Sequence, residues 1–198
     1  MSTAASTRKR LIEAAGRRFY RDGFRMVGLD QILADVGISK TAFYKHFESK
    51  DDLVLAALED HDREMQETFR AMVRERGGPT AREQLAVVMD VVEHFVEADG
   101  YQGCIFVNVA IEFPLAHEPA HIAAAASKRA IEEIVYELAV EAGAKDPRAL
   151  AKELCLVMEG AYVTRHVTGD KQAVDMARSI ARLIIAEHCP ERSGQCSG

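Results

Sequence analysis

Residues 23–50 read GFRMVGLDQILADVGISKTAFYKHFESK, and this stretch decides the fold. Leu29, Ile32, Leu33 and Val36 fall at i, i+3, i+4 and i+7, one apolar helical stripe that has to face a core. Gly37 stands where a helix stops on a left-handed residue. Ile38 follows as the apolar anchor of the turn, and Ser39 offers its hydroxyl to cap a new helix beginning near Lys40. On that second helix Phe43 and Phe47 are four apart and point inward, which leaves Lys40, Thr41, Tyr44 and Lys45 on the other side. The outward face is basic, hydroxylated and aromatic. Such groups bond phosphate oxygens and base edges, and a helix of this width fits the major groove of B-DNA. Spacing alone leaves two readings open, a helix-turn-helix or an αα-corner with solvated lysines.

The order of residues goes further than their spacing. Phe19, Gly23-Phe24, Ile32, Val36-Gly37-Ile38-Ser39-Lys40, Phe43-Tyr44, His46-Phe47, Ser49-Lys50 and Leu53 together resemble the DNA-binding domain of the TetR family of transcriptional regulators, over about Ile12 to Leu53. One departure is Val27-Gly28, where the family often carries two hydroxyl residues. The usual cap at the start of the second helix is therefore missing, and Gly28 can cap only weakly. The resemblance implies an all-α chain, with a three-helix DNA-binding domain over 1–48 followed by an α-helical effector-binding and dimerisation domain over 49–198. It implies that Tyr44, His46 and Lys50 contact phosphates and that Lys40, Thr41 and Lys45 reach bases, with Ser39 completing the set. It also implies a homodimer on a palindromic DNA operator, with recognition helices roughly 34–36 Å apart. A small organic effector would release what is most simply a repressor.

Charge is distributed in keeping with such a chain. The net charge is −6 over 198 residues, yet residues 1–50 carry +5 and residues 51–198 carry −11. A basic module on an acidic body is the electrostatic footprint of a DNA reader whose body does something else. The N-terminus MSTAASTRKR is polar and then basic, without a signal-like apolar stretch, and no run approaches the roughly 18 apolar residues that span a bilayer. The cytoplasm is the expected compartment, with no membrane partner. Cys104, Cys155, Cys189 and Cys196 form no C-x-x-C pair. Cys104 and Cys155 read as small core residues, with redox sensing as the alternative.

Helical periodicity runs through the whole chain, with no strand alternation. A first helix is expected over 6–22, bringing some of its basic side chains near the DNA backbone, after a mobile arm at 1–5. A long helix starts at Ser49 and ends at Gly77-Gly78-Pro79, roughly 40 Å at 1.5 Å per residue. Five more are expected over 80–98, 103–113, 118–143, 147–167 and 171–188, and a frayed tail from Pro190. The last two carry surplus apolar residues, among them Leu150, Leu154, Leu156, Met158 and Val163, then Val174, Met176, Ile180, Leu183 and Ile185. Such faces complete either the chain's own core or a homodimer through these helices.

Two constellations bear on chemistry. His117-Glu118-Pro119-Ala120-His121 matches H-E-x-x-H, but Pro119 belongs in the first turn of a following helix, which leaves His117 outside it and the two imidazoles on different faces. No metal site, catalytic residue or cofactor is expected. On the apolar segment 101–113, Asn108 and Glu112 are polar and four apart. They either bond each other or the backbone, or face a cavity and orient an effector. Candidate walls of that cavity are Phe69, Met72, Phe95, Phe106, Asn108, Glu112, Phe113, Met158, Tyr162 and His166, a lining that suits a largely apolar organic molecule.

Overall fold

Two glycines with positive φ, Gly23 at +86° and Gly37 at +72°, cut the first part of the chain into three short elements. A side chain would be strained at either position. The computed structural model describes residues 3–190. Helix α1 is Thr3–Asp22, α2 is Leu29–Val36 and α3 is Lys40–Phe43. The helix thus begins earlier than the expected arm allows, and only residues 1 and 2 of that arm lie outside the described residues. The long helix α4 is Lys50–Gly77, opened by the Ser49 hydroxyl accepting from the Asp52 N–H at 3.0 Å.

Then follow α5 (Ala81–Ala86), α6 (Val88–Val96), α7 (Ile105–Glu112), α8 (Pro119–Glu141), α9 (Pro147–Thr168) and α10 (Ala173–His188). Every element of the described residues is helical, as the periodicity requires. One expected helix, 80–98, is two. At Val87 the backbone tightens: its N–H bonds the Gln84 carbonyl three residues back, and the Asp90 N–H bonds the Val87 carbonyl in the same way. Such a three-residue step breaks the α-helical ladder. Pro119 opens α8 and His117 precedes it, the arrangement expected from the proline. The tail from residue 191 lies outside the described residues.

The helices form two compact units. One is residues 1–66 with 104–128. Its core is built from Leu11, Ala15 and Phe19 of α1, Phe24, Ile32 of α2, Phe43, Leu53 and Leu58 of α4, and Ile105, Phe106 and Val109 of α7. The other is residues 67–103 with 129–198. There Val73, Leu85, Val88, Val92, Val135, Leu150, Leu154, Met158, Val174 and Ile185 make the core. Within that second unit Arg178 of α10 bonds Asp90 at 3.2 Å and Glu93 at 2.9 Å on α6, a part-buried network that fixes the register of the two helices.

Candidate nucleic-acid interface

The turn between α2 and α3 has the geometry its residues call for. The Gly37 and Ile38 N–H groups both return to the Leu33 carbonyl, at 2.9 and 3.1 Å, so the end of α2 is satisfied through the left-handed residue. Ser39 is the N-cap of α3, its hydroxyl accepting from Ala42 N–H at 3.2 Å. At the start of α2 the cap is Gly28. The missing hydroxyl is replaced from the other direction, by the Gln31 side chain accepting from the Gly28 N–H at 2.8 Å. That half of a capping box offsets the departure at residues 27–28.

Phe43 and Phe47 lie inside, with ring centroids 5.7 Å apart, and leave 0% and 6% of their surfaces exposed. Their burial fixes what faces out. Ser39, Lys40, Thr41, Tyr44 and Lys45 are exposed and His46 is half-buried. Four-residue α3 continues as tight turns, the His46 N–H reaching the Phe43 carbonyl at 2.8 Å, so Tyr44, Lys45 and His46 stay on a helical path. Lys40 lies 3.6 Å from Asp30, and the Tyr44 ring stands edge-on to Phe43.

Lys50 is placed differently from the rest. It is half-buried, its ammonium donates to the Phe24 carbonyl at 2.6 Å, and it lies 5.8 Å from the centre of the Phe19 ring. Desolvation by burial lowers its pKa, against the raising influence of Asp51 and Glu112.

Several basic side chains of α1 are likewise taken up within the fold. Arg18 is bidentate to Asp35 on α2, and the hydrogen bond from that guanidinium holds the Asp35 carboxyl below its ordinary range. Arg10 donates to the Val36 carbonyl at 2.5 Å, and the Arg8 guanidinium lies over the Phe47 ring at 5.1 Å. These contacts tie α1 to α2 and to the phenylalanines behind α3. Composition showed a cationic helix but not which cations were committed.

The ten candidate effector residues fall in both units. Phe106, Asn108, Glu112 and Phe113 belong to the first, and Phe69, Met72, Phe95, Met158, Tyr162 and His166 to the second. Phe69, Met72 and Met158 sit in the core of the second unit, and Phe106 in that of the first. Phe95 and Tyr162 pack against the second core half-buried; the Tyr162 carbonyl accepts from the Tyr101 hydroxyl at 3.0 Å, and His166 is exposed with its ring edge-on to Tyr101. Phe113 is half-buried beside the Phe24 ring.

Glu112 bonds to backbone. Its carboxylate accepts from the Phe24 N–H at 3.0 Å and from the Arg25 N–H at 2.8 Å. The backbone is one of the partners the sequence allows Glu112, but nothing local to it points to this turn. The available signal was a lone carboxylate closing an apolar helix, which needs donors from somewhere.

Cys104 and Cys155 are half-buried against their respective cores, Cys189 is buried, and Cys196 lies outside the described residues. In the HEPAH stretch the Glu118 carboxylate accepts from the Leu115 N–H at 3.0 Å, and His121 Nδ1 lies 2.8 Å from the Phe113 carbonyl. No helix among the described residues is long and apolar enough to cross a membrane.

Comparison with known proteins points the same way as the geometry. Residues 11–57 match the family profile described as bacterial regulatory proteins, tetR family, and residues 81–181 match that of the tetracyclin repressor-like C-terminal domain. The chain is 30% identical over 130 residues to the HTH-type transcriptional activator FasR of Mycolicibacterium smegmatis, an alignment covering 65% of this chain and 58% of that protein. It is 28% identical over 106 residues to the HTH-type transcriptional regulator YjdC of Escherichia coli, covering 54% and 56% of the two chains. The chain therefore spans somewhat more than half the length of these curated relatives. Among solved structures, SCO4454 from Streptomyces coelicolor, a TetR-family transcriptional regulator, superposes with a TM-score of 0.86 at 28% identity, covering 93% of this chain and 97% of that one.

Proposed function

The chain belongs to the TetR family of bacterial regulatory proteins, and we propose that it is a homodimeric, sequence-specific DNA-binding regulator that a small organic molecule releases from its operator. The observation that carries this reading is the exposed face of α3, with Lys40, Thr41, Tyr44 and Lys45 outward and Phe43 locked beneath them. Lys40, Thr41 and Lys45 reach base edges; Ser39, Tyr44 and His46 meet phosphates or sugars. Lys50 has two N–H donors beyond the one given to Phe24, and it contributes these to a phosphate.

The functional division falls at 48/49, with base reading before it and effector binding and dimerisation after it, Lys50 at the start of α4 adding its phosphate contact from the far side. Dimerisation through α9 and α10 is supported by what those helices leave uncovered. Leu156, Val163 and Val167 are 74%, 46% and 73% exposed, and Met176, Ile180 and Leu183 are 51%, 48% and 73% exposed. On each helix these residues recur at helical spacing, while Leu150, Leu154, Val174 and Ile185 serve the chain's own core. A second copy of the same two faces would bury both stripes and place two α3 helices on a palindrome. The site of action is the cytoplasm, where the operator is. The effector is a largely apolar molecule; half-buried Asn108 and Phe113 are its candidate contacts in the first unit, and half-buried Phe95 and Tyr162 with exposed His166 those in the second. Phe69, Met72 and Met158 lie in the closed core of the second unit and Phe106 in that of the first. Helix α4, Lys50–Gly77, contributes residues to both units and is the proposed lever. The relatives and the family are regulators of transcription rather than enzymes.

The deciding experiment incubates the purified full chain with fragmented genomic DNA at low ionic strength and sequences what is retained. Enrichment of a few fragments sharing an inverted repeat is expected. Retention in proportion to genomic abundance would overturn the proposal. A reporter driven by the enriched fragment then reads the sign, with higher expression expected when the protein is absent.

A further inference from the structure

We propose that Glu112 is a positioning residue for operator binding: from the last turn of α7 it holds the turn that follows α1, and so fixes where α2 and α3 begin. The inference rests on the DNA-binding reading above and deepens it. Helix α1 ends where the Gly23 N–H returns to the Phe19 carbonyl at 3.0 Å with φ at +86°. The next two N–H groups, of Phe24 and Arg25, find their acceptor 88 and 87 residues further on, one on each oxygen of Glu112.

The grip is reciprocal. Arg25 Nε donates back to the Glu112 carbonyl at 2.7 Å, and its guanidinium lies 5.1 Å from the Phe113 ring centre and 3.6 Å from Glu118. On the other side of the same residue the Phe24 carbonyl is held by Lys50 from the first position of α4. Both peptide groups flanking Phe24 are therefore anchored, the first by the anion on α7 and the second by that anion and a cation on α4. A Cβ at Gly23 would stand 3.3 Å from a Glu112 oxygen, so the carboxylate also fills the space a side chain would need.

Only three residues separate Phe24 from Gly28, the cap of α2, and Val27 among them is buried. Hydrogen bonds of this kind weaken steeply as they bend below about 120° and are lost by about 3.6 Å. The end of α7 consequently cannot shift without moving the turn or releasing it. Either result changes the start of α2, and through the Leu33 turn the heading of α3. Glu112 thus acts on DNA recognition from outside the groove, with no contact to a base.

The test compares wild type, Glu112→Ala and Glu112→Gln as full chains on the fragment enriched by genomic selection and on a random duplex of equal length. Affinity is referred to the active fraction found by stoichiometric titration. Glu112→Ala should bind the enriched fragment at least about tenfold more weakly with no loss of affinity for random DNA, because non-specific binding rests on charge and tolerates a misaligned helix. Deleting an anion would by itself tighten both, so the loss runs against simple electrostatics. Amide exchange at Phe24 and Arg25 should accelerate in the same variant. Glu112→Gln is nearly isosteric and keeps one acceptor oxygen, so it folds if the alanine variant does not; about a threefold loss on the enriched fragment alone is expected.

Wild-type binding of the enriched fragment by both variants, or an equal loss on both DNAs, would overturn the inference. A wild-type chain that enriches no fragment would remove the DNA-binding reading and this inference together. One that does, beside a Glu112→Ala variant that binds as tightly, removes this inference alone.

Discussion

At the scale of single residues, the sharpest contrast is between Lys45 and Lys50, both cations of the same segment. Lys45 is exposed on the face opposite Phe43, whereas Lys50 spends part of its ammonium on the Phe24 carbonyl. Lys45→Ala should therefore cost about 1–3 kcal/mol on the specific site and much less on random DNA. Competition gel shifts at one salt concentration read this directly, and an equal loss on both DNAs would remove Lys45 from the base-reading set. His61 offers a second residue-scale test, in pH. It lies on α4 with its ring 5.7 Å from that of Phe106, and desolvation lowers its pKa from 6.5, only partly countered by Glu64, Asp62 and Asp60. Between the depressed folded value and 6.5 the unfolded chain binds more protons than the native one, so stability rises with pH across that window and is lost as pH falls through it. Denaturant midpoints for wild type should decline below pH 6.5, and His61→Leu should flatten that part of the decline. A parallel fall in both proteins would assign the acid sensitivity elsewhere.

At the scale of elements, close approaches do as much as apolar stripes. Gly77 ends α4 where an added Cβ would stand 2.4 Å from the Gln84 Cα on α5, a backbone atom that cannot swing away. Gly77→Ala should lower stability by about 1–3 kcal/mol through overpacking, seen as a shifted urea midpoint with an unchanged slope. A neutral substitution would show that α5 is free to slide. The same element shows what a sequence can reveal. The stop at Gly77 was legible because two glycines and a proline break the helical period; the approach of α5 was not, because periodicity carries no information about distance between helices. Likewise the α2–α3 turn was legible in Gly37, Ile38 and Ser39, whose chemistry is local. The Glu112 grip spans 87 residues and could be read only as an unsatisfied carboxylate. Val87 marks the opposite case, a break inside a stripe whose apolar pattern continues across it, so that 80–98 reads as one helix and folds as two.

At the scale of the whole molecule, the proposed function depends on two copies acting as one. Charge sets the terms: a basic head can engage a duplex although the net charge is −6, because phosphate contacts are local and the acidic excess lies beyond residue 50. A single head would make few such contacts and bind weakly at physiological salt. Two heads on one palindrome add their contacts, and the second binds at the high effective concentration set by the first. The proposed pairing runs through the apolar stripes on α9 and α10, where Leu156 and Leu183 are exposed to water in the single chain. Burying roughly 100 Å² of apolar surface is worth about 2.5 kcal/mol at 25 cal/mol per Å², so one charge placed in each stripe should be enough to split the pair. Leu183→Glu should sediment as a monomer at micromolar concentration, keep its helical circular dichroism, and lose cooperative protection of both half-sites in a footprint. Because Leu183 is 73% exposed, the substitution does not disturb the chain's own core. A Leu183→Glu protein that remains dimeric would move the interface off this face, and a monomer that still protected both half-sites would break the link between pairing and recognition.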